Sequence, residues 1–214
     1  MSFRPILLAS VITFASTFAA DWTQWGRDNT RNAVSPEKGV PEFQLPLTDD
    51  KSKVIKPERG VAWKAELGSR TVVHPVIADG LVWVCTNARD PDDEKLREKN
   101  WDGGVLMCFR ESDGKFLWKQ RTPRRKEGFT DWSHAALGSA PLIEGDRLWY
   151  TNNRHEVVCL DIGPLKKGTG EPTVAWKLPM MEKLGVYAHL PIMQAGFAAS
   201  VAGYKDWLYV VTHN

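Results

Sequence analysis

The chain has 214 residues, 43% hydrophobic and 25% charged, which suits a globular fold of one or two domains. Its 28 basic and 26 acidic side chains leave a formal charge of +2, so there is no electrostatic reason to expect nucleic acid or an anionic membrane as partner. Three cysteines (Cys85, Cys108 and Cys159) and no CxxC pair exclude a disulfide scaffold and a zinc ribbon, and the odd number leaves at least one thiol free or paired elsewhere.

The first 20 residues read as an export signal. Arg4 supplies a positive start, Ile6 to Phe18 is apolar apart from small hydroxyl residues, and Thr17-Phe18-Ala19-Ala20 offers small residues for cleavage near Ala19 or Ala20. The apolar stretch is short for a bilayer span, which takes roughly 20 residues. An uncleaved anchor or a buried N-terminal strand is the competing reading. No cysteine stands directly after the apolar run to carry a lipid. Export predicts a periplasmic or extracellular location and no membrane span after cleavage.

Residues 21–60 read as an N-terminal extension. Trp22 and Trp25 open it, within Asp21-Trp22-Thr23-Gln24-Trp25-Gly26-Arg27-Asp28-Asn29, with Arg31 and Ser35-Pro36 beyond. Two tryptophans are costly to leave in water, so the segment is expected to pack on the main body of the chain rather than act as a mobile linker.

From Val61 onward the chain repeats itself. Val61-Ala62-Trp63-Lys64 recurs as Val174-Ala175-Trp176-Lys177, with Phe116-Leu117-Trp118-Lys119 as a third copy. His74 to Val84 matches Ala140 to Tyr150: Pro141 lies 66 residues after Pro75, and Trp149 lies 66 after Trp83. Ser200 to Val210 is a further copy, with Tyr209 lying 60 after Trp149. Val105-Leu106-Met107-Cys108-Phe109 resembles Glu156-Val157-Val158-Cys159-Leu160. Each unit runs from a short apolar stretch through a Gly/Asp turn to an apolar-aromatic stretch, then a second apolar run, a turn, and a run ending in Trp-Lys. Such runs, bounded by Gly, Asp, Asn and Pro, are strands joined by hairpins. Four short strands per unit in fixed order predict an all-β fold of four-stranded antiparallel propeller blades.

The expected blades are 71–122, 137–179 and 197–214, about 2.5 in all, within a partial propeller over 61–214. Trp63 is expected on a lone strand that closes a blade. Propellers have about 4 to 8 blades, so the ring is expected to be incomplete in this chain. Residues 88–104 and 163–172 are expected to be loop insertions.

Repeat positions bear mainly on structure. Trp63, Trp118 and Trp176 are expected to dock flat faces between neighbouring blades, each N–H reaching a backbone carbonyl. Trp83, Trp149 and Tyr209 recur in the second strand and are expected in the core. His74 and His134 precede first strands, where a propeller has its channel mouth, and either face a ligand there or are polar rim residues. The remaining histidines, His155, His189 and His213, form no i, i+4 pair or ligand cluster. Arg121, Arg124, Arg125 and Lys126, and likewise Lys166-Lys167, read as solvated loops in preference to anion sites. There is no phosphate loop and no nucleophile elbow.

The repeats resemble the pyrroloquinoline-quinone-like propeller repeat, whose tryptophan-docking pattern runs roughly Leu-Asp-x-x-Thr-Gly-x-x-x-Trp. Cys108 to Trp118 fits that spacing, and Leu160-Asp161 with Thr169-Gly170 and Trp176 fits it with an insertion. The likeness covers about 21–214. It implies a fold shared by quinoprotein dehydrogenases, a component of the outer-membrane protein assembly machinery and many exported bacterial proteins, in some of which an aromatic-Gly-Arg-Asp opening packs on the ring. A fold of this kind says little about function. A quinone-dependent dehydrogenase would need a vicinal Cys-Cys pair, carboxylate and Asn ligands for calcium, and a catalytic Asp. The pair is absent. The expectation is therefore an exported, non-catalytic binding or scaffolding module with no catalytic residue, metal site or cofactor assigned, and with a protein or other ligand at the propeller face. The alternative is an N-terminal piece of a quinoprotein dehydrogenase.

Overall fold

The computed structural model describes residues 20–40, 42–49, 51, 53–68, 71–87, 103–123, 137–186 and 200–212. Residues 1–19 of the export signal, residues 88–102 of the expected insertion, the run Arg124 to Lys126, and His134, His189 and His213 lie outside the described residues.

The described chain is all-β, in four antiparallel sheets. A two-stranded ribbon pairs β1 (Leu47–Thr48) with β2 (Val54–Lys56). The first four-stranded sheet runs in chain order through β3 (Val76–Ala78), β4 (Leu81–Asn87), β5 (Gly103–Arg110) and β6 (Phe116–Pro123). The second repeats that order with β7 (Leu142–Glu144), β8 (Arg147–Thr151), β9 (Glu156–Asp161) and β10 (Thr173–Pro179). A last hairpin pairs β11 (Ala202–Tyr204) with β12 (Trp207–Tyr209). Two short helices, α1 (Gly163–Lys166) and α2 (Met180–Leu184), flank β10. The sequence reading missed both. Pro164 favours α1 because the first turn of a helix needs no amide hydrogen.

The repeat is visible in the register. Val76 faces Trp83, Leu142 faces Trp149 and Ala202 faces Tyr209 across the three first hairpins. Each hairpin closes with two residues, the first at positive φ: Asp79, Gly145 and Lys205. That backbone suits the right-handed twist of the strands it joins. Trp83 continues onto Cys108 and then Trp118, and Trp149 onto Cys159 and then Trp176. Both fourth strands carry an extra residue just before the tryptophan, Leu117 in one and Ala175 in the other. A bulge at the same place in both sheets is a built feature, since it re-aims the next side chain.

The two large sheets pack face to face. One continuous core holds Val76, Leu81, Trp83, Cys85, Leu106 and Cys108 from the first sheet with Ile143, Leu148, Tyr150, Val158 and Leu160 from the second, and Trp118 and Leu165 lie against it. The odd-numbered residues of β4 thus meet the even-numbered residues of β8, as side-chain alternation along a strand requires. The opposite face of the first sheet (Val82, Val84, Val105, Met107 and Phe109) is covered by Trp63, Ala65 and Leu67.

Several expectations change. The Trp63 segment is not a strand. It has no ladder partner among the described residues and crosses the sheet face instead, alternate residues pointing inward. Trp149 is only half-buried and Tyr209 is 54% exposed, so neither is core. Trp149 looks away from the first sheet, on the side where Met180, Val186 and Val210 pack with Val157, and that cover leaves its ring half-exposed. Trp176 is 42% exposed for the same reason. The extension packs only at its start: Val40, Phe43, Leu47, Val54 and Ile55 are exposed on or beside a ribbon that hydrogen-bonds to itself. Gly103 and Gly104, expected in the insertion, begin β5.

Lys166 is no solvated loop residue. Its ammonium lies 2.8 Å from Asp79 and 3.0 Å from Asp146, in equivalent turns of the two sheets, and donates to the Gly145 carbonyl at 3.0 Å. Partial burial disfavours its charge, but the two carboxylates outweigh that and raise its pKa above the usual lysine value. Lys166 and Lys167 together hold Asp146 below the usual aspartate value.

Candidate functional site

The N-terminal extension threads between the first strands of the two sheets, β3 and β7. Trp22 exchanges both backbone hydrogen bonds with Ile77 on β3, at 2.7 and 2.9 Å, and the Thr23 carbonyl accepts from Ile143 on β7 at 2.8 Å. Ile77 and Ile143 are the same position in successive repeats. The short first strands leave an edge of unpaired backbone groups, and residues 22 and 23 occupy it in both units. The Asp21 carboxylate accepts from the Asp79 amide at 3.2 Å.

After Gln24 the chain turns sharply. Gly26, Arg27 and Arg31 all take positive φ. Asp28 holds the turn, accepting from the Thr30 hydroxyl and amide and from the Arg27 guanidinium at 2.8 and 3.0 Å. These bonds, the Thr30 hydroxyl foremost, hold the Asp28 carboxyl down at about 2. The Arg31 guanidinium donates to the Trp25 carbonyl and lies 6.0 Å from the centre of the Trp25 ring. The aromatic-Gly-Arg-Asp run is therefore a fold of the loop upon itself, with Asp28 as its hub.

Between this loop and the start of β3 lies an open cavity of about 470 Å³. Trp22, Trp25, Pro75 and Ile77 give it apolar walls, and Arg31, Ser35, Glu37 and His74 give it polar ones. Its size falls in the usual range for small-ligand sites, and a mostly apolar lining with a few polar groups is their common chemistry. Among the described residues no nucleophile with a partnered base lines it. It offers a place to bind, with two indoles for flat or apolar groups and one cation, one anion and one imidazole for polar ones.

His74 is the one residue singled out from sequence for a ligand that this cavity contains. Sequence reasoning gave Trp22, Trp25 and Arg31 a structural part alone and missed Glu37. The tryptophans were a usable signal, but the fold of the loop that gathers the rest was not. His155 is buried at the second sheet, away from the cavity, and its carbonyl accepts from Met180. All three cysteines are free and buried. Burial raises the Cys85 and Cys108 thiols far above the usual cysteine range and raises Cys159 as well. They are packing residues rather than nucleophiles. Among the described residues no three of His, Cys, Asp and Glu gather as metal ligands, and no helix is long and apolar enough to cross a membrane.

No protein-family model matches the chain, and no curated protein matches it.

Proposed function

We propose that the chain is part of an exported β-propeller of the quinoprotein-like repeat type, acting as a non-catalytic binding or scaffolding module. The observation that carries the blade reading is the repeated row Trp83-Cys108-Trp118 and Trp149-Cys159-Trp176, in the same register and with the same bulge before the last tryptophan. Two four-stranded antiparallel sheets with one register, stacked face to face, support that reading, because propeller blades are sheets of this kind. The cavity beside Trp25 and His74 supports the binding reading, because it gathers aromatic and polar groups without a catalytic pair.

A quinoprotein dehydrogenase would bring a quinone and a calcium ion. The residues present do not fit them. The chain has no vicinal cysteines, its three thiols are buried in separate strands, and the described carboxylates make no ligand cluster. The binding reading is therefore preferred.

The test is a dye-reduction assay on the exported chain with added quinone, calcium and a panel of alcohols and sugars, run beside a tryptophan-fluorescence titration with small ligands. Fluorescence changes abolished by Trp25→Ala, with no turnover, support the reading. Quinone-dependent turnover overturns it.

A further inference from the structure

The backbone nitrogen of Ala20 lies 2.6 Å from Glu37 Oε1. In an unbroken chain this is an ordinary amide donating to a carboxylate. The sequence just before it gives it another meaning. Export peptidases cut after a small residue that has another small residue two positions earlier. Cleavage after Ala19 meets that demand with Thr17 and Ala19, whereas cleavage after Ala20 would place Phe18 at the earlier position.

We propose that the export signal is removed between Ala19 and Ala20, and that Glu37 captures the new N-terminus. Water hydrolyses the peptide bond in the peptidase, leaving a carboxylate on Ala19 and an amine on Ala20 that takes up a proton. The nitrogen bonded to Glu37 then becomes an ammonium, and a neutral hydrogen-bond donor becomes a charged one facing a carboxylate. Charge-assisted hydrogen bonds of this kind are about twice as strong as neutral ones.

The surroundings favour the capture. Asp21 is engaged with the Asp79 amide, and Trp22 is fixed to Ile77, so Ala20 is held within two residues of an anchored strand. Glu37 is placed from its own side, its amide donating to the Ser35 hydroxyl at 3.2 Å. Both Ala20 and Glu37 line the cavity, with Arg31 and His74 as its other titratable groups. Processing thus completes a wall of that cavity, and the ammonium neutralises Glu37, the one carboxylate among the described residues that line it. Arg31 then sets the sign of charge that the cavity offers a ligand.

This inference rests on the export reading, and two measurements keep their failures apart. The full chain is secreted from a bacterial host, and the mature product is weighed intact and sequenced from its N-terminus. A chain starting at Ala20 is expected. A chain that keeps its first 20 residues overturns both the export reading and this one. A secreted chain starting at Asp21 or elsewhere leaves export standing and overturns this inference alone.

The second measurement is the rate at which an amine-selective acylating reagent modifies the Ala20 amine at neutral pH, in the native chain and in Glu37→Gln. An unperturbed α-amine titrates at about 7.7–8.0, and a rise of about half a unit cuts the reactive free amine about threefold. Slower labelling in the native chain, relieved in Glu37→Gln and in the urea-unfolded native chain, is expected. Equal rates in all three overturn the capture.

Discussion

The indole nitrogen of Trp63 donates a 2.6 Å hydrogen bond to the carbonyl of Glu111, 48 residues further along the chain. Glu111 opens the turn between β5 and β6, and its own amide donates to Gly80 in the first hairpin. In the second sheet Ile162 stands at the place of Glu111 and donates to Asp146, at the place of Gly80. The turn that receives a tryptophan is therefore itself tied to the hairpin turn in the same way in both units. Trp63 shows what docking means here: a ring laid over one sheet, fixed at its tip by one hydrogen bond.

Removing the tip and removing the ring should therefore differ. Trp63→Phe keeps the ring contacts but leaves the Glu111 carbonyl without its partner, at a cost of about 1 kcal/mol. Gly114→Ala should cost more, because Gly114 sits at φ 69 and a Cβ there would lie 2.5 Å from the Trp63 ring. The left-handed backbone alone penalises alanine by about 1 kcal/mol. Urea midpoints of the two variants check the order.

Equivalent tryptophans should be unequal in energy. Trp83 is fully buried between the sheets and Trp149 is half-buried on the far face. Trp83→Ala should destabilise by about 3–5 kcal/mol, as large core truncations do. Trp149→Ala should cost about 1 kcal/mol. Equal losses in thermal or urea unfolding would contradict the placement of the two faces.

This contrast also marks how far the sequence was legible. The repeated strings identify which residues pair, and the pairing of Val76 with Trp83, Leu142 with Trp149 and Ala202 with Tyr209 agrees with them. The repeat places Trp149 and Tyr209 at the position of Trp83 in their own units. It does not say whether a neighbour covers them there, so their exposure was illegible. Lys166 was illegible for a related reason. Its partners Asp79 and Asp146 lie in turns that come together only when the sheets stack. Of the cavity, only His74 was legible, as a residue leading into the first strand of a repeat.

The Lys166 staple should show a pH window. The lowered Asp146 carboxyl favours the folded state above its ordinary value of 3.8, and that contribution is lost as pH falls through its lower folded value. The raised Lys166 ammonium favours the folded state below its ordinary 10.5 and loses its effect as pH rises through its higher folded value. Lys166→Met should therefore lower the unfolding midpoint at neutral pH. Its deficit against the native chain should shrink below about pH 3, where aspartates are protonated. A deficit that stays constant from pH 7 to pH 2 would rule out the ion pairs as its source.

The thiols should be silent until the chain unfolds. Cys85, Cys108 and Cys159 are buried, and burial raises all three. Thiolate is the reacting form, so an aromatic disulfide reagent at pH 8 should find almost no fast-reacting thiol in the native chain. In denaturant it should find three. A fast native thiol would show that one of the strand rows is open to solvent.

Two sheets of the same register, stacked through one core, are the centre of this structure. Nuclear Overhauser contacts between the ring protons of Trp83 or Trp118 and the side chains of Leu148, Tyr150 or Leu160 test that stacking most directly, because these residues share one core across the two sheets. Cross-sheet contacts from the Trp83 and Trp118 rings are the predicted result. Rings that contact only residues of β3 to β6 would contradict it, and with it the reading of these sheets as successive blades.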